Sequence, residues 1–73
     1  MNRRLLHITS VSEFYDLANR LNEDSSDKFI LQNEDGTKST EIKTTISIIY
    51  ALSEFDKIYL VNETNDGVFP DFI

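Results

Sequence analysis

KFILQNEDGTKSTEIK, residues 28–43, is the stretch on which the fold turns. Lys28 to Asn33 predicts a strand with Phe29-Ile30-Leu31 as its apolar centre. Glu34-Asp35-Gly36-Thr37 predicts a tight turn, because Asp-Gly between two strand-like runs supplies the residue that tolerates the positive φ of a hairpin. Lys38 to Lys43 predicts the returning strand. It is polar, but Thr suits the pleated conformation and Ile42 can point to a core.

Toward the C-terminus, Thr44 to Phe55 predicts a helix capped by Thr44 or Thr45. It is apolar almost all round: Ile46, Ile48, Ile49, Tyr50, Ala51, Leu52 and Phe55. Its β-branched residues would also suit a strand, but its length and opening cap favour the helix. Lys57 to Glu63 then predicts a strand with Ile58, Leu60 and Val61 buried. Asn65-Asp66-Gly67 predicts a turn. Val68 to Ile73 is a short apolar tail, in which Pro70 argues against a long terminal helix.

Toward the N-terminus, Arg3 to Thr9 predicts a first strand, with Leu5, His7 and Thr9 on one face and Leu6 and Ile8 on the other. Ser10-Val11-Ser12-Glu13 fits a capping box, in which the hydroxyl and the carboxylate each satisfy a backbone donor. Val11, Phe14, Leu17, Ala18 and Leu21 follow at helical spacing as one stripe. This helix is expected to stop near Asn22, before the turn-forming Glu23-Asp24-Ser25-Ser26-Asp27.

The order is β-α-β-β-α-β. It predicts a small two-layer α+β domain: one antiparallel-rich sheet with both helices on one face. Residues 1–73 are expected to form a single domain, with residues 1–2 and 65–73 as ends that flex or dock on a partner. A chain of 73 residues buries only about 60% of its unfolded surface and is marginal alone. With no Cys and one His, neither disulfides nor a thiolate or His-rich metal site can reinforce it. Self-association through the apolar tail is one remaining means.

Composition excludes other classes. Charged residues at 27% and hydrophobic ones at 40% are the balance of a folded domain. No apolar run approaches the roughly 18–20 residues of a membrane span. Asn2-Arg3-Arg4-Leu5-Leu6 opens like a signal peptide, but His7, Thr9, Ser10, Ser12 and Glu13 interrupt it, so a cytoplasmic protein is expected. There the Asn62-Glu63-Thr64 sequon has no meaning. The net charge of −6 repels phosphate backbones and argues against direct nucleic-acid binding.

Asp35-Gly36-Thr37-Lys38, then Ile42-Lys43-Thr44-Thr45 leading into Ile46-Ser47-Ile48-Ile49-Tyr50-Ala51-Leu52, then Lys57-Ile58-Tyr59-Leu60-Val61 together resemble the HPr-like fold of the bacterial phosphotransferase system. The resemblance reaches back through Val11–Leu21 and covers roughly residues 5–63. It implies the two-layer fold, and a second helix whose exposed apolar side meets partner proteins. Three departures qualify it. The family's phosphorylated His opens its first helix in a His-Ala-Arg-Pro context, where this chain has Val11-Ser12-Glu13-Phe14. Its regulatory Ser lines up with Thr44, a possible phosphorylation site, but Thr45-Ile46 differs from the family's flanking residues. Its C-terminal helix has no counterpart here. Val11 offers no nucleophile, so phosphate carriage on His is rejected while the fold is kept.

The candidate sites follow. His7 has no sequence-placed partners for a catalytic triad, and an enzyme is not expected. Asp24, Ser26, Asp27, Glu34 and Asp35 match no Ca²⁺-loop spacing, so no metal or other cofactor is expected. Thr44 also reads as a plain helix cap. Ile46, Ile49 and Tyr50 on one side of the second helix, against Ile48, Leu52 and Phe55 on another, cannot all face one sheet. Either the first three meet a partner or the tail covers them. The resulting expectation is a regulatory, protein-binding module whose partner is a phosphotransferase-system component or regulator. A homodimer is a further expectation. The alternative is a small acidic inhibitor, of phage or mobile-element type, that engages a basic nucleic-acid-handling protein through Glu23, Asp24, Asp27, Glu34 and Asp35.

Overall fold

A computed structural model describes residues 2–73. Its elements are β1 (Arg4–Leu6), α1 (Val11–Asp24), β2 (Phe29–Gln32), β3 (Ser39–Glu41), α2 (Thr45–Glu54) and β4 (Ile58–Asn62). The sheet order is β1-β4-β2-β3, and every neighbouring pair is antiparallel. The protein is a two-layer α+β domain.

The register explains the layers. Leu31 lies opposite Leu60 and Phe29 opposite Asn62, so these residues and Ile58 share one face. That face meets Phe14, Leu17 and Leu21 of α1 and Ile48 and Ala51 of α2 in a single core, closed by Ile42 and Phe55. The other face carries Ile30, Gln32, Tyr59 and Val61 with no helix over it. There Arg3 spans the strands. Its guanidinium lies 4.2 Å from the Tyr59 ring centroid and donates to Gln32 Oε1 and to the carbonyls of Asn33 and Glu34 at 2.9–3.1 Å.

Several boundaries move for local reasons. β1 ends at Leu6 because Leu6 pairs with Ile58, the first residue of β4. His7, Ile8 and Thr9 therefore have no partner strand, although their faces alternate as expected: Ile8 packs on the core and His7 and Thr9 are exposed. β3 covers only Ser39–Glu41, and Ile42 buries just beyond it. α1 continues through Glu23 and Asp24, where no Gly or Pro interrupts it. It stops at Ser25, whose N–H bonds the Leu21 carbonyl at 3.0 Å. The capping box forms in part. Ser10 Oγ accepts from Glu13 N–H at 3.3 Å, but it also donates to the Glu13 carboxylate at 3.0 Å, so that carboxylate serves the hydroxyl rather than a backbone donor.

Gly36 and Gly67 take φ of +76° and +80°, the left-handed region that the two turns require. Phe69, Phe72 and Ile73 pack on this chain's own core. Phe69 lies 6.3 Å from Phe29 by ring centroids, and the Arg20 guanidinium sits 3.9 Å over the Phe72 ring. Of residues 1–2, Met1 lies outside the described residues, and Asn2 N–H donates to Asp66 Oδ1 at 3.1 Å. Among the described residues no helix is long and apolar enough to cross a membrane.

Candidate functional site

Thr44 fixes where α2 begins. Its Oγ1 accepts from Ser47 N–H at 3.1 Å and shares a 2.6 Å contact with Ser47 Oγ, so the hydroxyl acts as the helix cap. With that start, the 3.6-residue period turns Ile48, Ala51 and Leu52 toward the sheet, along with Phe55 at the cap. Ile46, Ile49 and Tyr50 are left on the far side, with exposures of 81%, 48% and 39%. Tyr50 is steadied by an edge-on contact with Phe55, 5.6 Å between centroids. The tail does not cover this stripe; it lies against Phe29, Arg4 and Arg20. The other exposed large apolar residues, Leu5, Tyr15 and Val68, do not form such a stripe, and scattered singles need no explanation.

The five acidic candidates do not make one surface. Glu23, Asp24 and Asp27 lie where β2 begins, and Glu34 and Asp35 lie beyond its other end. The seven steps from Asp27 to Glu34 span roughly 20 Å of extended chain. Several of these carboxylates are also engaged. Glu34 pairs with Lys57 at 3.4 Å. Asp35 Oδ1 accepts from the Thr37 hydroxyl at 2.7 Å and from Thr37 N–H at 3.1 Å. Asp27 accepts from the side-chain amides of Asn62 and Asn65, each at 2.9 Å. At the Glu34 end, Glu54 and Asp56 join Asn33, Glu34 and Asp35 around a shallow depression, a grouping that linear distance conceals.

Asn62 is the residue that sequence reasoning missed. It is 2% exposed and makes four hydrogen bonds of 2.9 Å. Its amide donates to Asp27 Oδ2 and the Val68 carbonyl, and its carbonyl accepts from Thr64 and Asn65 N–H. It therefore ties the β4 exit turn to the start of β2 and to the tail. The signal was an Asn at the third inward position of the strand, after Ile58 and Leu60. The sequon reading hid it; the buried, fully engaged amide leaves no room for a glycan on the folded chain.

Hydrogen bonds to the ionised form hold two carboxyls below their ordinary value of 3.8. For Asp27 the Asn62 amide is the main cause, followed by Asn65; for Asp35 it is the Thr37 hydroxyl, followed by Thr37 N–H. A carboxyl lowered on folding stabilises the native state above its unfolded value and loses that contribution as pH falls through the folded value. Urea midpoints should therefore be flat from neutrality down to about pH 4 for these two groups and fall below it. The double variant Asp27→Asn/Asp35→Asn should start lower at neutral pH and fall less steeply in acid. An acid limb identical to the parent's would remove these carboxylates from the account.

His7 is exposed on the segment after β1, beside the groove that Leu6, Leu52, Phe55 and Ile58 help to line. Comparison with family models, with curated proteins and with solved structures found no significant match to this chain.

Proposed function

We propose that this chain is a non-catalytic, HPr-like protein-binding module that regulates a partner by occupying its surface. The observation that carries the reading is the stripe of Ile46, Ile49 and Tyr50, exposed on a helix whose other side is fully used by the core. A surface helix needs one apolar side to fold. A second apolar side costs solubility, and a partner that buries it offsets that cost.

The mechanism is steric. The partner, a cytoplasmic component or regulator of the bacterial phosphotransferase system, would receive the α2 face as it receives an HPr protein. No phosphate would pass, because Val11 stands where the resemblance calls for a His. The rival reading, an acidic inhibitor of a basic nucleic-acid-handling protein, has less support. Its five carboxylates divide between two ends of the domain, and Asp27 and Asp35 are already held by internal donors.

The test is Ile49→Asp. Ile49 is half-exposed and outside the core, so the variant should keep its circular-dichroism spectrum and unfold within about 1 kcal/mol of the parent. Affinity-tagged parent and variant are compared in capture from the cytosol of a phosphotransferase-bearing bacterium, at low and high salt. Recovery of phosphotransferase proteins by the parent, resistant to salt, with at least tenfold less recovery by Ile49→Asp, is the expected result. Equal recovery by both would sink the reading. Recovery of a nucleic-acid-handling protein that is lost at high salt would favour the rival.

A further inference from the structure

We propose that the α2 face is occupied by a second copy of this chain, in an antiparallel α2–α2 contact. The proposal rests on the reading of α2 as a docking face and adds a second copy as its occupant in the absence of the partner, which would displace it. Three observations carry it.

The first is charge complementarity along the helix. Lys43 is exposed just ahead of the Thr44 cap, and Glu54 is exposed at the last helical residue. The N-terminus of a helix is electropositive and its C-terminus electronegative. Each residue thus sits at the helix end that shares its sign. The first turn of α2 has no acidic residue and the last turn no basic one. Among the described residues, neither Lys43 nor Glu54 has an ion-pair partner, whereas Lys28 and Lys57 do.

The second is that the stripe is self-complementary. Ile46, Ile49 and Tyr50, with the exposed Thr45 and Ser53 beside them, lie between Lys43, two residues ahead of α2, and Glu54, its last residue, a span of roughly 16 Å at 1.5 Å per residue. A two-fold axis midway between Ile48 and Ile49 brings Ile49 beside its own counterpart and Ile46 beside Tyr50 of the second copy, each within one residue of direct opposition. The same rotation brings Lys43 to Glu54 of the second copy. Two helices so placed oppose their dipoles, and each misplaced charge meets its opposite. A two-fold contact requires this one-patch-on-both-sides arrangement.

The third is what the tail does. An apolar tail offered one route to self-association, but Phe69, Phe72 and Ile73 are spent on this chain's own core. Among the described residues, the stripe on α2 then gathers three of the six exposed large apolar side chains on one helix. One ten-residue helix is a small interface, below the roughly 1,200 Å² of stable complexes, and the copies share a net charge of −6. The dimer is therefore of the weak, concentration-dependent class.

Sedimentation equilibrium of the full chain, over a hundredfold concentration range at physiological ionic strength, tests this. The parent should move from monomer toward twice the monomer mass, and Ile49→Asp should stay monomeric throughout. Lys43→Glu and Glu54→Lys should each weaken association several-fold, and the double swap should restore it. Net charge alone predicts otherwise, since Glu54→Lys makes each copy less acidic and should then tighten the dimer. A parent that is monomeric throughout, an Ile49→Asp dimer or a tighter Glu54→Lys dimer would each overturn the proposal. A monomeric parent whose partner capture is still lost in Ile49→Asp would leave α2 as a docking face and remove only the second copy.

Discussion

Phe14→Ala is expected to cost about 3–5 kcal/mol, the usual range for truncating a fully buried aromatic residue. Phe14 is 0% exposed and reaches from α1 into the cluster that joins Leu31, Ile48 and Leu60. A domain of this size has roughly 5 kcal/mol in all. The variant should therefore be largely unfolded at 25 °C, or have a urea midpoint near zero, with loss of its near-ultraviolet signal. The neighbouring Tyr15 is partly exposed on the outer side of α1, and Tyr15→Ala should change stability by less than about 1 kcal/mol. A Phe14→Ala protein that folds within 1 kcal/mol of the parent would mean that α1 does not close the core.

Asn62→Ala should be the most damaging polar substitution, at about 2–4 kcal/mol. The four hydrogen bonds are each worth about 0.5–1.5 kcal/mol net, but removing the amide also strands partners that were shaped around it. The Val68 carbonyl and Asp27 lose a donor, and the Thr64 and Asn65 N–H groups lose their acceptor. Asn62→Asp should be no milder, because it replaces two donors with a charge facing Asp27. The local signature separates this loss from general weakening. Hydrogen exchange should accelerate first in residues 63–73, and proteolysis should remove the tail before the sheet opens. An Asn62→Ala variant with parental stability and a protected tail would show that packing of Phe69 and Phe72 alone holds the C-terminus.

Stability and the proposed docking draw on opposite sides of α2. Ile48, Ala51 and Leu52 serve the sheet, whereas Ile46, Ile49 and Tyr50 are free of it. Substitutions on the outer stripe can therefore change association without unfolding the domain. Thr44 links the two, since its cap sets the rotation of the whole helix. Phosphorylation of Thr44 would esterify a hydroxyl already committed to Ser47.

The element order was legible because its signals are local. Ser10 with Glu13, Thr44 before an apolar run and Asp35-Gly36 between two strands each act within about four residues. The apolar stripe of α1 and the inward Ile58 and Leu60 of β4 follow from periodicity alone. The excess apolar side of α2 was legible for the same reason: a helix of that composition has more apolar surface than one sheet can cover. Tertiary structure decided the rest. Insertion of β4 between β1 and β2 determined where β1 runs out of partner. It carried Asn62 into the core, and it set Glu23, Asp24 and Asp27 at one end of the sheet and Glu34 and Asp35 at the other. It also brought Glu54 and Asp56 to Glu34, and folded the tail onto Phe29 and Arg20. These outcomes depend on strand pairing and packing between residues far apart in the chain, such as Arg4 and Leu60, which are 56 positions apart. Local propensity says which segments become strands and helices, but only the competition for one shared core decides which segments meet.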